Sequence, residues 1–388
     1  MASLYVHIPW CLSRCPYCDF NTYAARSWPE EAYAESLRKE LDWFGRLPPF
    51  AGAGLETIFF GGGTPSLFEP ATIGRLLEHA NRRLPIAADA EITLEANPGT
   101  VDEARLAGLR RAGVNRLSLG VQTFQPRLLE ALGRRHSVDE SREALRAARA
   151  AGFGNLSLDL IYAVPGQTLE DLEADLAEAV SFAPDHVSAY ALTYESGTPL
   201  HRDLQAGRVR RAPEELEVTM FERVRERLAE SGYAAYEISN HARPGREARH
   251  NQAYWRYVPY LGLGAGAHSF APGESPFGPG TGFGVRWQNE RDPSTYRSRV
   301  ATSGNAAVER EELRREQAMG EFCWLGLRES RGLDPAAFAA RFGAPLSDVF
   351  PHAAELAAED MLESRDGRLV LGPRGLLVAD SVFASFFG

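Results

Sequence analysis

Short apolar runs alternate with amphipathic stretches through the first two thirds of the chain. The runs are SLYVHI from Ser3, ETIFF from Glu56, AEITLEA from Ala90, NRLSLG from Asn115, LSLDLIY from Leu156 and HVSAYAL from His186. Each is rich in β-branched or aromatic residues and reads as a strand. Between them the apolar positions recur with helical spacing: Pro70 to Arg83, then near 101–112, 138–151, 168–182 and 213–231. A first helix is expected to start at Ser27-Trp28-Pro29-Glu30, which has the form of a capping box with proline inside. Strand–helix alternation at this spacing gives right-handed βαβ units and a parallel sheet. Six units are too few to close an eight-fold barrel. The expectation is an α/β chain whose residues 1–240 form a partial (β/α)6 barrel.

The pattern then changes twice. Residues 241–300 are rich in Gly, Pro, Asn and aromatics with little periodicity, and SFAPGESPFGPGTGFG from Ser269 reads as a long loop. This segment is expected to be an irregular extension. Residues 301–388 read as helices near 309–327, 334–341 and 345–359, a hairpin turning at Asp366-Gly367, and a helix from about Leu376. Three helices and a hairpin make a small winged-helix-like α+β domain. Such modules often bind DNA, but the acidic chain weakens that reading, and a packing or lid role is expected here.

Composition narrows the choices. The formal charge is −10, which argues against a nucleic-acid partner, since that needs a basic footprint. Lys39 is the single lysine, leaving 41 arginines. No glycine-loop lysine for a phosphate site and no second lysine for a Schiff base are therefore available. No run of 18 apolar residues occurs, and Met1 to Ile8 lacks the form of a signal peptide. A cytoplasmic location with at most peripheral membrane contact is expected. Four cysteines cannot build a secreted disulfide framework.

Three of those cysteines carry the chemistry. Cys11, Cys15 and Cys18 form CxxxCxxC directly after the first strand. A structural zinc site would want a fourth ligand, for which His7 and Asp19 are the nearest candidates. Three thiolates on one loop instead suit a 4Fe-4S cluster with one iron left open for another ligand. Cys323, in the apolar stretch GEFCWLGL, reads as a buried core thiol.

CxxxCxxC at the end of a first strand, in a six-fold βα chain, resembles the radical S-adenosylmethionine superfamily. The resemblance runs along most of the chain. It implies that the open iron chelates the amino and carboxylate groups of S-adenosylmethionine, whose sulfonium is cleaved on reduction to a 5′-deoxyadenosyl radical. Gly61-Gly62-Gly63-Thr64 follows the second strand and is similar to that family's turn for the S-adenosylmethionine amino group. Its Gly62, Gly63 and Thr64 are the cofactor candidates. Glu95, Gln122, Arg134 and Asp159 follow or end successive strands. Polar groups there point into the mouth of a barrel and would meet the ribose hydroxyls and the methionine carboxylate. Tyr5 and Tyr17 bracket the cysteines and are implied to contact the adenine or sulfonium side.

The strings YVHIPWC, CPYCDF, GGGTPS, LGVQTF and DLIYAVPGQT are similar to the oxygen-independent coproporphyrinogen III oxidase group and its heme-chaperone relatives. The oxidases carry a further cysteine two residues after the third; here Phe20 stands there. They also carry an extension ahead of the first strand, for which a first cysteine at 11 leaves no room. The segment His250-Asn251-Gln252-Ala253-Tyr254-Trp255 is similar to the heme-binding motif of the chaperones. A neutral imidazole is a standard axial ligand for heme iron, and Tyr254 and Trp255 offer flat surface to a porphyrin. His250 is the expected ligand, with His241 and His268 as alternatives or a second ligand. His7 is expected to hydrogen-bond near the cysteine loop. The resemblance thus implies a protein that binds heme b and passes it to acceptor hemoproteins, respiratory ones among them. It would carry a 4Fe-4S cluster and S-adenosylmethionine, as a monomer or a heme-linked dimer. The alternative is a radical enzyme acting on a porphyrinogen.

Overall fold

The computed structural model describes residues 1–387. Its centre is a twelve-stranded sheet. The six expected strands are all present: β1 (Ala2–Ile8), β2 (Leu55–Gly62), β3 (Ile86–Ala96), β4 (Arg116–Gln122), β5 (Leu156–Tyr162) and β6 (His186–Ala191). They lie side by side in chain order and pair in parallel. The helices between them are α1 (Glu30–Phe44), α2 (Pro70–Arg83), α3 (Glu103–Ala112), α4 (Val138–Ala150) and α5 (Leu169–Ser181), with α6 (Glu214–Glu230) after β6. Leu4, Ile58, Leu94, Leu117, Leu158 and Val187 put one sheet face into a core shared with Leu37, Ile73, Leu106, Leu145 and Leu176 of the helices. That face is covered, and the other face is left to line a cavity.

Local chemistry sets the helix starts. Ser137 and Thr168 form reciprocal capping boxes with Glu140 and Asp171, and Asp102 accepts the Arg105 amide at 2.7 Å. The capping box expected at Ser27 does not form. Pro29 itself holds the N-cap position, and Glu30 accepts instead from the Trp28 indole and the Glu69 amide.

Residues 241–300 are more regular than their composition suggested. β7 (Ala234–Ala235) and β8 (Asn240–Ala242) extend the sheet beyond β6. On the opposite side β9 (Tyr260–Leu263) runs parallel to β1, followed by antiparallel β10 (His268–Ala271), β11 (Val285–Asn289) and β12 (Ala307–Glu312). The short helix α7 (Arg249–Trp255) lies between β8 and β9. α1 anchors this addition. Glu40 accepts from the Gly264 amide at 3.0 Å, the Asn289 amide side chain at 2.9 Å and the Tyr296 hydroxyl at 2.6 Å. Tyr33 donates to the His7 carbonyl and accepts from the Ala265 amide. Residues 272–284 remain without regular structure.

The C-terminal part has its own core around Phe338, Cys323, Leu333 and Phe386, closed by Tyr257 and Phe270 from the main sheet side. Its first helix, α8 (Arg315–Arg328), starts later than expected because the preceding residues pair as β12. The expected helix over 345–359 is split into Leu346–Val349 and Ala353–Ala358, with Pro351 between them. The hairpin joins Leu362–Arg365 to Arg368–Leu371, and both Asp366 and Gly367 take positive φ, as a two-residue turn of this kind requires. No helix of the described residues is long and apolar enough to cross a membrane.

Candidate functional site

The cysteine loop is closed at its base before any ligand is considered. Trp10–Cys11 pairs with Tyr23–Ala24, and the Ala25 amide donates to the Cys11 carbonyl at 2.9 Å. Inside the loop the Cys18 amide donates to the Cys15 carbonyl. All three thiols are free and half-buried. Each sulfur has a polar neighbour: the Thr64 hydroxyl at 3.5 Å from Cys11, Arg134 at 3.8 Å from Cys15 and the Thr22 hydroxyl at 3.9 Å from Cys18. Burial pushes the Cys11 and Cys18 thiols up, against the lowering effect of those hydroxyls. Among the described residues no three His, Cys, Asp or Glu side chains converge on a single-ion position. Three thiolates leave a structural zinc one ligand short and match a cluster with one open iron.

The glycine turn fits against this loop with no space to spare. A Cβ on Gly63 would lie 2.6 Å from the Trp10 carbonyl oxygen and 2.8 Å from that of Ile8. Gly62 has φ 108°, and a Cβ there would enter the His7 ring. The Gly62 amide donates to Glu95 at 3.1 Å. Thr64 receives the Asn97 side-chain amide at 2.8 Å, and Asn97 in turn accepts Arg134 at 2.5 Å. Arg134 also donates to the Gly120 carbonyl. Asn97 thereby links the glycine turn to Arg134 and so to two of the cysteines. It escaped the sequence reading because an Asn before Pro reads as an ordinary turn residue.

Thr64 is buried, while Gly62, Gly63, Glu95, Asn97 and Arg134 face a cavity of about 580 Å³ lined by all three cysteines. Its far wall follows the two-residue period of the sheet: Arg116, Ser118, Gly120 and Gln122 of β4, then Asp159 and Ile161 of β5 and Ser188 and Tyr190 of β6. Such convergence from successive strands means that the sheet is concave here. Gly62, Gly63, Glu95, Gln122, Arg134, Asp159 and Tyr17 all reach this cavity. Asp159 accepts from Ser118 at 3.1 Å. Burial, then the Asp159 carboxylate, raises Glu95 to about 7, and burial raises Asp159 as well. Arg116 is buried beside both acids with its Nε unpartnered. It too was missed, although its position two before Ser118 on an alternating strand marks the inner face.

Tyr5 lies elsewhere. It lines a second cavity of about 780 Å³, on the β9–β11 side of the cysteine loop. Its hydroxyl bonds His7 Nδ1 at 2.9 Å. His7 Nε2 meets the Asn21 carbonyl at 2.9 Å, so this histidine braces the end of the loop and touches no sulfur. Tyr254, Trp255, Tyr257, Tyr260, Phe270 and Trp324 give the second cavity aromatic walls. Asp19, Phe20, Gly62 and Glu95 line both cavities, which therefore adjoin.

His250 borders neither of these two cavities. It is 1% exposed, with Nδ1 2.7 Å from the Thr57 hydroxyl and Nε2 2.9 Å from the Tyr254 hydroxyl. Burial, then Arg116, lowers its imidazole to about 3. His241 is also buried, with both ring nitrogens unpartnered. His268 is exposed on the second cavity. Cys323 is a buried core thiol, as expected.

Residues 5–179 match the family model described as radical SAM superfamily, and residues 313–378 match the HemN C-terminal domain. The chain is 36% identical to the heme chaperone HemW of Bacillus subtilis over the full length of both. It is 43% identical to that of Escherichia coli over 69% of each chain. The chain belongs to the HemW family of radical SAM proteins. Among solved structures, the Escherichia coli coproporphyrinogen III oxidase HemN superposes with a TM-score of 0.83 at 25% identity, over all of this chain and 90% of that one. The radical SAM fold and the winged-helix-like C-terminal domain are thus those of the family. In this HemW-family chain the fold sets the cysteine loop between two cavities, one polar and one aromatic.

Proposed function

We propose that the chain is a heme-binding and heme-transfer protein that carries a 4Fe-4S cluster and S-adenosylmethionine. The observation that carries the reading is the aromatic cavity of about 780 Å³ beside the cysteine loop, in a chain whose full-length relatives are named heme chaperones. That size lies within the range of about 300–1,000 Å³ common to small-molecule sites. Cys11, Cys15 and Cys18 hold the cluster. Gly62, Gly63, Thr64, Glu95, Gln122, Arg134, Asp159 and Tyr17 border or frame the polar cavity and hold S-adenosylmethionine, with Tyr5 on the far side of Glu95. When bound, this pair supplies one-electron chemistry. The chain's own part is to fix the loop, line both cavities and keep Glu95 between them. Heme b is the cargo, and acceptor hemoproteins, respiratory ones among them, take it up. The barrel with the β9–β12 addition forms one unit and residues from about 313 onward the other.

His250, the axial ligand read from the sequence, would have to release Thr57 and Tyr254 to reach an iron. The test is titration of the reconstituted protein with heme, wild type against His250→Ala. One-to-one binding by the wild type is expected. No saturable heme binding by the wild type sinks the reading.

A second reading follows from the TM-score of 0.83 to coproporphyrinogen III oxidase: radical chemistry on a porphyrinogen. Under anaerobic conditions with reductant, S-adenosylmethionine and coproporphyrinogen III, protoporphyrinogen IX should not accumulate. Sustained turnover would replace the chaperone reading.

A further inference from the structure

Six of the described histidines have ring nitrogens already hydrogen-bonded or are sealed in the interior, and of these only His7 borders the aromatic cavity. His7, His186 and His250 have both ring nitrogens hydrogen-bonded, and His79 and His136 have one. His241 is sealed in the interior. His268 differs: it is exposed, lines the aromatic cavity, and its ring nitrogens have no hydrogen-bond partner among the described residues.

Its setting is built by strand register. His268 and Phe270 stand two apart on β10, so they share a face. Their partners on β11 are Gln288 and Arg286, which also border the cavity, and Tyr260 of β9 lies opposite Phe270. One sheet face thus presents an unpartnered imidazole beside aromatic rings. Tyr254 and Trp324 close the cavity from α7 and α8. His250 bonds the Tyr254 hydroxyl, and Tyr254 stands edge-on to Tyr260 with ring centroids 4.6 Å apart. The motif histidine therefore positions a wall of the cavity.

Two arginines, Arg286 and Arg291, border the cavity together with Asp19, Glu95 and Glu321, and one of the two is free to meet a heme carboxylate. Arg291 is exposed on the cavity, and its guanidinium has no ion-pair or hydrogen-bond partner among the described residues. Arg286, by contrast, is held by Glu311 at 2.8 Å and Glu321 at 2.6 Å.

We propose that His268 is the protein ligand to the heme iron, with Arg291 receiving a propionate, and that His250 acts as a positioning residue through Tyr254. The proposal rests on the heme-binding reading above. A neutral imidazole on a rigid strand suits ligation. Free guanidinium and carboxylate pair through charge-assisted hydrogen bonds.

The experiment is heme titration of the full reconstituted chain, followed by visible absorption and electron paramagnetic resonance of the ferric complex. Wild type, His268→Ala, His250→Ala and Arg291→Ala are compared. His268→Ala is expected to weaken heme binding by at least about tenfold and to lose the imidazole-ligated spectrum, which added free imidazole restores. His250→Ala is expected to keep that spectrum with weaker binding. Arg291→Ala should weaken binding of heme but not of its dimethyl ester. His268→Met gives a second check, since the iron spectrum should change while the cluster absorbance stays. An unchanged spectrum and affinity in His268→Ala overturns the assignment. Loss of the imidazole spectrum in His250→Ala alone would return the ligand to His250. Failure of the wild type to bind heme removes the underlying reading instead, so the two failures are distinct.

Discussion

Gly63 shows how much of the site rests on single atoms. Its absent side chain lets the glycine turn lie on the carbonyls of Ile8 and Trp10, with the Gly63 and Thr64 amides donating hydrogen bonds to those oxygens at 2.8 and 2.9 Å. A methyl group there meets backbone, which cannot rotate away. Gly63→Ala should therefore cost about 1–3 kcal/mol or more of stability and lower the iron content after reconstitution. Gly154→Ala is the matched control: a Cβ there meets nothing within 4 Å, and the change should stay within about 0.5 kcal/mol. Equal effects in denaturant titrations of the two would refute the packing argument. The cysteines and glycines were readable in the sequence because their chemistry is local and their spacing short. Asn97 and Arg116 were not, because what marks them lies across strands: Asn97 joins Thr64 to Arg134, and the charge of Arg116 acts on both Glu95 and Asp159. His250 shows the converse. The motif was visible, but only the fold shows its two nitrogens engaged by Thr57 and Tyr254.

At the scale of elements, the six long parallel strands and their helices were legible because each carries enough apolar residues to reveal its period. The added strands were not. β9 and β10 have four residues each, β9 is interrupted by Gly262 and β10 stops before Pro272, so no period can develop. What places them is α1, through Glu40. Burial raises that carboxyl to about 7. Raised above its unfolded value, the folded carboxyl stays neutral at low pH, where it carries no penalty. As pH climbs from about 4.5 to about 7 the unfolded chain ionises first, so the part of the stability that depends on Glu40 falls across that window and then levels off. The shift corresponds to roughly 3 kcal/mol, taking 1.36 kcal/mol per pKa unit. Glu40→Gln should remove this dependence, so the stability of the variant relative to wild type should rise between those two pH values. Urea midpoints at pH 4.5, 6 and 7.5 check it, and parallel curves for wild type and variant would refute the role given to Glu40.

Across the whole molecule the two cores are not independent. The C-terminal core includes Tyr257 and Phe270, which the chain supplies from either side of β9. Polar contacts reinforce the join: Arg256 holds Glu329 at 2.9 Å, Arg286 holds Glu321 at 2.6 Å, and Arg328 lies 4.6 Å from the Trp255 ring centre. Glu329 is itself buried, so separating the parts would leave charged groups and aromatic faces without partners. α8 also contributes Trp324 to the aromatic cavity. The module is thus a wall of the proposed heme site as well as a packing partner. A chain ending at residue 312 should keep its α/β circular dichroism, because the main core draws only on residues up to 307. It should also bind a hydrophobic dye, self-associate and lose heme affinity while retaining the cysteine loop's capacity for a cluster. Should that chain remain monodisperse and bind heme as the full chain does, the second module would be dispensable to the site and the aromatic cavity would not be where heme is held.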